Sequence, residues 1–106
     1  MPLGSGARYR LTPRALDDLD EIWRFSAETW SAAQADRYVD ALAQLFETIA
    51  TMPTLARERA EFTPPVRILA HEAHVIVYTI AADHVVILRL LGGRQDWGSI
   101  LKATDP

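Results

Sequence analysis

The chain has 106 residues, which suits one domain with a single core rather than two small ones. Its apolar and charged fractions are ordinary for a globular protein, and acids outnumber bases 14 to 11. Ten of the bases are arginine and one is lysine, Lys102, so neither a strongly basic nucleic-acid binder nor chemistry needing several lysines is expected. The absence of cysteine excludes disulfides, thiol catalysis and cysteine-based zinc sites.

Met1 to Ala7 is rich in Gly, Ser and Pro, lacks an apolar core, and reads as a flexible end rather than a signal peptide. Tyr9 to Leu11 suits a short strand. Thr12-Pro13 then has the form of a helix start, with a hydroxyl at the N-cap and proline at the first helical position. Leu16, Leu19, Ile22 and Phe25 follow as an apolar stripe. Asp17, Asp18, Asp20 and Glu21 crowd the early turns and read as a solvated face favoured by the helix dipole.

Ser31 with Gln34 matches a capping box and opens a second helix. Its apolar face is Ala35, Tyr38, Val39, Leu42, Leu45, Phe46 and Ile49, and Pro53 stops it after Met52. Trp30 is placed to staple the turn between the two helices, which form an antiparallel hairpin. Residues 53–65 mix charge with proline and read as a surface loop.

The texture then becomes β-like. Three strands are expected over Val66–Ala70, His74–Ala81 and Val85–Leu91, joined by short turns into an antiparallel meander. Ile76, Tyr78 and Ile80 fall on one face of the middle strand, with Val75 and Val77 on the other. Gly92-Gly93 ends the meander, and Trp97, Ile100 and Leu101 give a final helical turn an apolar edge. The predicted order is β-α-α-β-β-β with a short helical tail, an α+β domain over residues 1–106. One helical hairpin covers only one sheet face, so the other is expected to leave apolar surface for a partner. The alternation of Val75 to Leu91, broken by Asp83 and His84, is not a membrane span.

No phosphate-binding glycine loop and no nucleophile elbow is present. His71, His74 and His84 lie near strand ends and read as turn or surface residues; no metal and no cofactor is expected. Arg89 is the most informative position. It interrupts an otherwise apolar strand, and a guanidinium there must be paired or open onto a groove. Arg67 has a similar setting, and Arg94, Gln95, Asp96 and Trp97 follow the last strand. Two readings are open: the arginines line one groove, or each pairs locally, Arg94 with Asp96 and Arg67 with Glu61 or Glu72.

With these residues in order, the chain resembles the RelE/ParE superfamily of bacterial toxins, nearest its ParE branch. The resemblance runs over about residues 8–101. It rests on Tyr9-Arg10-Leu11-Thr12, Ala15 to Ile22, Trp30 with Gln34-Ala35 and Tyr38, Leu42, Phe46, Met52-Pro53, Val66-Arg67, His74 to Tyr78, Ile87 to Leu91 and Gly93 to Asp96. Its order and spacing, rather than any one piece, carry the likeness.

The resemblance implies a helical hairpin on an antiparallel sheet, a cytoplasmic site of action, and a ParD-like antitoxin whose C-terminal segment wraps the toxin. The ParE branch is expected to inhibit DNA gyrase and block replication, whereas the RelE branch cuts messenger RNA on the ribosome. An inactive relative that still binds antitoxin is a third reading. Metal-free RNA cleavage needs groups that move protons and stabilise a charged phosphorane. There is no lysine before Arg67, and Gln95-Asp96-Trp97 supplies no tyrosine or histidine. Arg67 and Arg89 fall where the superfamily places arginines. The non-enzymatic gyrase reading is therefore preferred, with Arg67, Arg89, Arg94, Gln95, Asp96 and Trp97 as the expected antitoxin- or target-binding residues. Two departures bear on this: Val66, after Pro65, stands where relatives usually have glycine, and Gly92 where many have histidine.

Overall fold

A computed structural model describes residues 8–103. The segment expected to be flexible, residues 1–7, lies outside them. The chain runs β1 (Tyr9–Leu11), α1 (Pro13–Thr29), α2 (Ala32–Thr51), a 3-10 turn (Pro53–Leu55), β2 (Glu58–Arg59), β3 (Val66–His71), β4 (His74–Ile80), β5 (Val85–Gly92) and α3 (Trp97–Ala103). The α+β class and the element order are those expected from the sequence. Two details are added within residues 53–65, the 3-10 turn and β2, which the mixed-charge loop did not reveal.

Five strands form one sheet in the order β1-β5-β4-β3-β2. The β3–β4–β5 meander is antiparallel, but β1 pairs in parallel with β5 through Tyr9–Val85 and Leu11–Ile87. The helical hairpin is part of the long connection that makes this possible, because parallel neighbours cannot be joined by a tight turn. A bulge in β5 sets Val77 opposite Arg89 and Tyr78 opposite Ile87, leaving Leu88 as the additional residue.

Both helix starts are built as their sequences specify. Thr12 Oγ1 accepts from the Ala15 N–H at 3.0 Å, and its own hydroxyl donates to the Leu88 carbonyl at 2.8 Å. Ser31 Oγ accepts from the Gln34 N–H at 3.0 Å. The Gln34 side chain does not complete the box; its Oε1 accepts from Arg37.

The stripe on α1 needs correction. Leu16 and Phe25 are exposed, and the buried line is Ala15, Ile22 and Ser26, with Leu19 half-buried. A spacing of three falls short of a 3.6-residue turn, so a stripe built on it rotates steadily around the helix. Trp30 does not staple α2 either. It is exposed and meets Phe25 edge-on, with ring centroids 6.2 Å apart. The hairpin is joined instead by Trp23, whose indole N–H donates to Asp36 at 2.8 Å.

The two sheet faces carry separate apolar clusters. Ile76, Tyr78, Val85, Ile87 and Leu90 pack beneath the hairpin with Ile22, Leu42, Phe46 and Ile49. Val66, Val75, Val77 and Leu91 pack on the other face with Phe62, and Trp97, Ile100 and Leu101 of α3 lie against them. The face expected to be bare is thus partly covered by α3 and by the loop bearing Phe62. Tyr78 is fully buried; its hydroxyl donates to the Pro53 carbonyl at 2.7 Å and accepts from the Ala56 N–H at 3.3 Å. That pair of bonds fixes the chain leaving α2 against the middle of the sheet.

Candidate functional site

Arg89 is paired, and its partner is Asp18. Arg89 Nε donates to Asp18 Oδ2 at 2.8 Å and Nη2 donates to Oδ1 at 3.1 Å, a two-pronged contact between β5 and α1. Asp18 Oδ2 also accepts from the Leu90 N–H at 2.9 Å. The side chains are only 15% and 14% exposed, so both charges are largely withdrawn from water. The bond to Asp18 raises the Arg89 pKa above its already high ordinary value, against the opposing effect of burial. Arg89 Nη1 is buried and has no hydrogen-bond partner among the described residues.

This corrects the reading of the α1 acids. None lies in the first turn, and Asp18 is not part of a solvated face. It sits three residues after Ala15 and four before Ile22, on the side of the helix that meets the sheet. Phase with Ala15 and Ile22, rather than charge, distinguishes it from Asp17 and Asp20.

The other expected residues do not gather around Arg89. Arg67 lies on β3 opposite Tyr78, and Arg89 lies on β5 opposite Val77, so β4 stands between the two arginines. Arg67 Nη1 donates to the Ala56 carbonyl at 2.7 Å instead of pairing with Glu61 or Glu72. Glu61 is held by Arg59 at 2.8 Å.

Arg94 is exposed and does not pair with Asp96. Asp96 instead caps α3: its carboxylate accepts from the Ser99 N–H and hydroxyl, and its carbonyl accepts from the Ile100 N–H. Gln95 Oε1 accepts from the Gly92 N–H at 2.7 Å, closing the end of β5. Trp97 is half-buried, between the Phe62 ring at 6.3 Å and the Arg59 guanidinium at 5.6 Å. Gln95, Asp96 and Trp97 thus build the turn and helix that follow β5.

Two clefts flank Arg89. The smaller, about 260 Å³, lies between α1 and the end of β5 and includes Asp18, Glu21, His74, Arg89 and Gln95. Beside it, Tyr38 Oη and His74 Nδ1 are 2.7 Å apart, within hydrogen-bond distance. Burial first, and then the neighbouring His71, lower the His74 pKa, and burial raises that of Tyr38. The pairing of α2 with the β4 start was not read from the sequence, because Tyr38 looked like one more core residue of α2.

The larger cleft, about 610 Å³, opens on the other face between the loop at Phe62 and the edge at Leu88. Its lining is mainly apolar, with Arg14 and Lys102 among its polar residues. Among the described residues, no three His, Asp or Glu side chains come together in a way that could hold a metal. None of the described helices is long and apolar enough to cross a membrane.

These features define a small α+β domain whose buried Arg–Asp pair joins a helical hairpin to a mixed sheet. Residues 9–97 match the family described as the ParE toxin of the type II toxin-antitoxin system parDE, and the chain belongs to that family. It is similar to Toxin ParE1 of Caulobacter vibrioides, 35% identical over 83 residues that cover 78% of this chain and 85% of that one. It is also 30% identical to Toxin ParE1 of Mycobacterium tuberculosis over 91 residues, covering 85% of this chain and 93% of that one. A solved structure titled "Chromosomal ParDE TA system from P. aeruginosa" shares the fold, with a TM-score of 0.71 and 19% identity over 82% of this chain and 96% of that one.

Proposed function

We propose that this toxin acts in the cytoplasm by binding DNA gyrase and blocking replication, without catalytic residues of its own, and that a ParD-like antitoxin neutralises it. Membership of the ParE toxin family supports the reading. The observation that carries it against the ribonuclease alternative is the engagement of Arg89. Its guanidinium already forms a two-pronged bond to a carboxylate of its own fold. A phosphate entering the adjacent cleft would meet Asp18 and Glu21 at close range.

One observation favours the ribonuclease reading: His74, with Tyr38 bonded to it, lines the same cleft as Arg89. The His74 ring could move a proton there. The Asp18 bond nevertheless occupies the cation that such chemistry would need for the phosphorane.

Inducible expression tests the two readings together. Growth arrest with a DNA-damage response, trapped gyrase–DNA complexes and intact messages is expected. Codon-phased cleavage of messages, mapped by primer extension, would overturn the proposal. Intact antitoxin binding with no growth effect would also overturn it and assign the chain to inactive relatives.

A further inference from the structure

We infer that the 610 Å³ cleft on the sheet face away from the helical hairpin is a binding site for a small amphipathic anion, an apolar chain or ring carrying one carboxylate. The site is independent of the toxin's target and of its neutralisation.

The cleft has the size and walls of a ligand pocket. Its volume of about 610 Å³ falls within the roughly 300–1,000 Å³ of clefts that hold small organic molecules. Three separate segments bound it: the start of α1 at Thr12 and Arg14, the loop at residues 61–64, and the end of α3 at Leu101 and Lys102. Walls on these sides limit the length of an occupant and favour a discrete molecule. Val66 of β3 and Leu88 of β5 make the floor. Phe62 and Val66 are already buried, whereas Leu88 and Leu101 are half-buried and still have apolar area that an occupant would take from water.

The charges select the head group. Glu61 is held by Arg59 and Arg89 by Asp18, so these two lining charges are already neutralised. Arg14 and Lys102 are left. Both are exposed, and neither forms an ion pair among the described residues. Lys102 Nζ stands 6.0 Å from the Phe62 ring, where a polar group leaving the apolar floor would meet it.

Arg14 lies in the first turn of α1, where the helix dipole disfavours a cation. Asp18, one turn further on, is committed to Arg89 and does not draw it in. An anion in the cleft offsets that unfavourable placement, and Lys102 brings a second cation to the same rim. The smaller cleft beside α1 rejects the same head group, because Asp18 and Glu21 are in its lining. Size, apolar floor and paired rim cations thus converge on one cleft and one class of ligand.

The test uses the full chain and decanoate as the probe, kept below its micelle concentration. Binding is measured by calorimetry and mapped by backbone amide chemical shifts. Saturable one-to-one binding is expected, with the largest shifts at residues 12–14, 88 and 101–102. Decyltrimethylammonium has the same tail with the opposite charge, and acetate has the head without the tail. Each is expected to bind at least about tenfold more weakly than decanoate. Arg14→Gln/Lys102→Gln is expected to weaken decanoate binding about tenfold, whereas Arg24→Gln/Arg37→Gln, which removes the same charge from the hairpin, should stay within about twofold. All four replaced side chains are exposed, and circular dichroism checks that each variant folds.

No saturable decanoate binding would overturn the assignment. Equal binding of decyltrimethylammonium would overturn it too, by showing a bare apolar patch with no preference for an anion. Equal weakening by the hairpin variant, or shifts centred on the exposed Phe25 and Trp30, would put the binding elsewhere and overturn it equally.

Discussion

Replacing Asp18 by alanine removes three hydrogen bonds at one stroke, at 2.8, 3.1 and 2.9 Å. Two effects add. The Arg89 charge stays where it is only 15% exposed, with no carboxylate to face, and the Leu90 N–H loses its acceptor. Breaking a buried pair by deleting one partner costs about 3–5 kcal/mol, and an orphaned buried donor costs about 1–3 kcal/mol. The Asp18 site is not fully sealed from water, so a total near the low end of the first range, about 3 kcal/mol, is expected.

An asparagine in its place would keep one acceptor oxygen, so Asp18→Asn should cost about half as much. Arg89→Met combined with Asp18→Ala removes the stranded charge but leaves the Leu90 donor unpaired. The double variant should recover about 1–2 kcal/mol relative to Asp18→Ala alone. Urea unfolding at neutral pH, with unchanged m-values, gives these differences directly. A loss below about 0.5 kcal/mol for Asp18→Ala would refute the reasoning, because it would mean that the pair joining α1 to β5 contributes no more than an exposed ion pair.

Tyr78→Phe leaves the Ala56 N–H without its acceptor and the Pro53 carbonyl without its donor, and should cost about 2 kcal/mol in the same assay. Thr12→Val keeps the shape but loses the cap on Ala15 and the bond to the Leu88 carbonyl, for about 1–2 kcal/mol. His74 gives a pH dependence. Its folded pKa lies below the ordinary histidine value, so the unfolded chain binds the proton more readily. The contribution is present above about pH 6.5 and falls away as the pH drops toward the folded pKa, with a slope of at most about 1.4 kcal/mol per pH unit. His74→Asn should flatten that limb of the stability profile; an unchanged limb would show that other groups cause it.

The sequence specified the elements well because each is governed by local rules. Thr12-Pro13, Ser31 and Pro53 mark helix ends through caps and missing donors that need no tertiary partner. Alternation along β4 assigned Ile76 and Tyr78 to one face and Val75 and Val77 to the other, as the two clusters show. The β2 strand was not legible, since two residues are too few for a period. Its pairing of Arg59 with Val66 follows from where Tyr78 pins the chain leaving α2.

The arginines were harder to read for a different reason. Residue type showed that Arg89 needed a partner but not which carboxylate would supply it. Nearby acids were natural candidates, yet Asp18 lies 71 residues away in the chain. Only the parallel return of β5 beside β1 brings it close. A bulge then re-aims the strand, leaving Leu88 and Arg89 together opposite Val77 and placing the guanidinium beyond the end of β1, where α1 can reach it. The intervening β4 separates Arg67 from Arg89, so similarity of sequence setting gave no nearness in space. The two cations at the larger cleft that form no ion pair among the described residues, Arg14 and Lys102, belong to helices at opposite ends of the chain. Each looks like an ordinary surface residue alone, and only the fold places both beside one apolar floor.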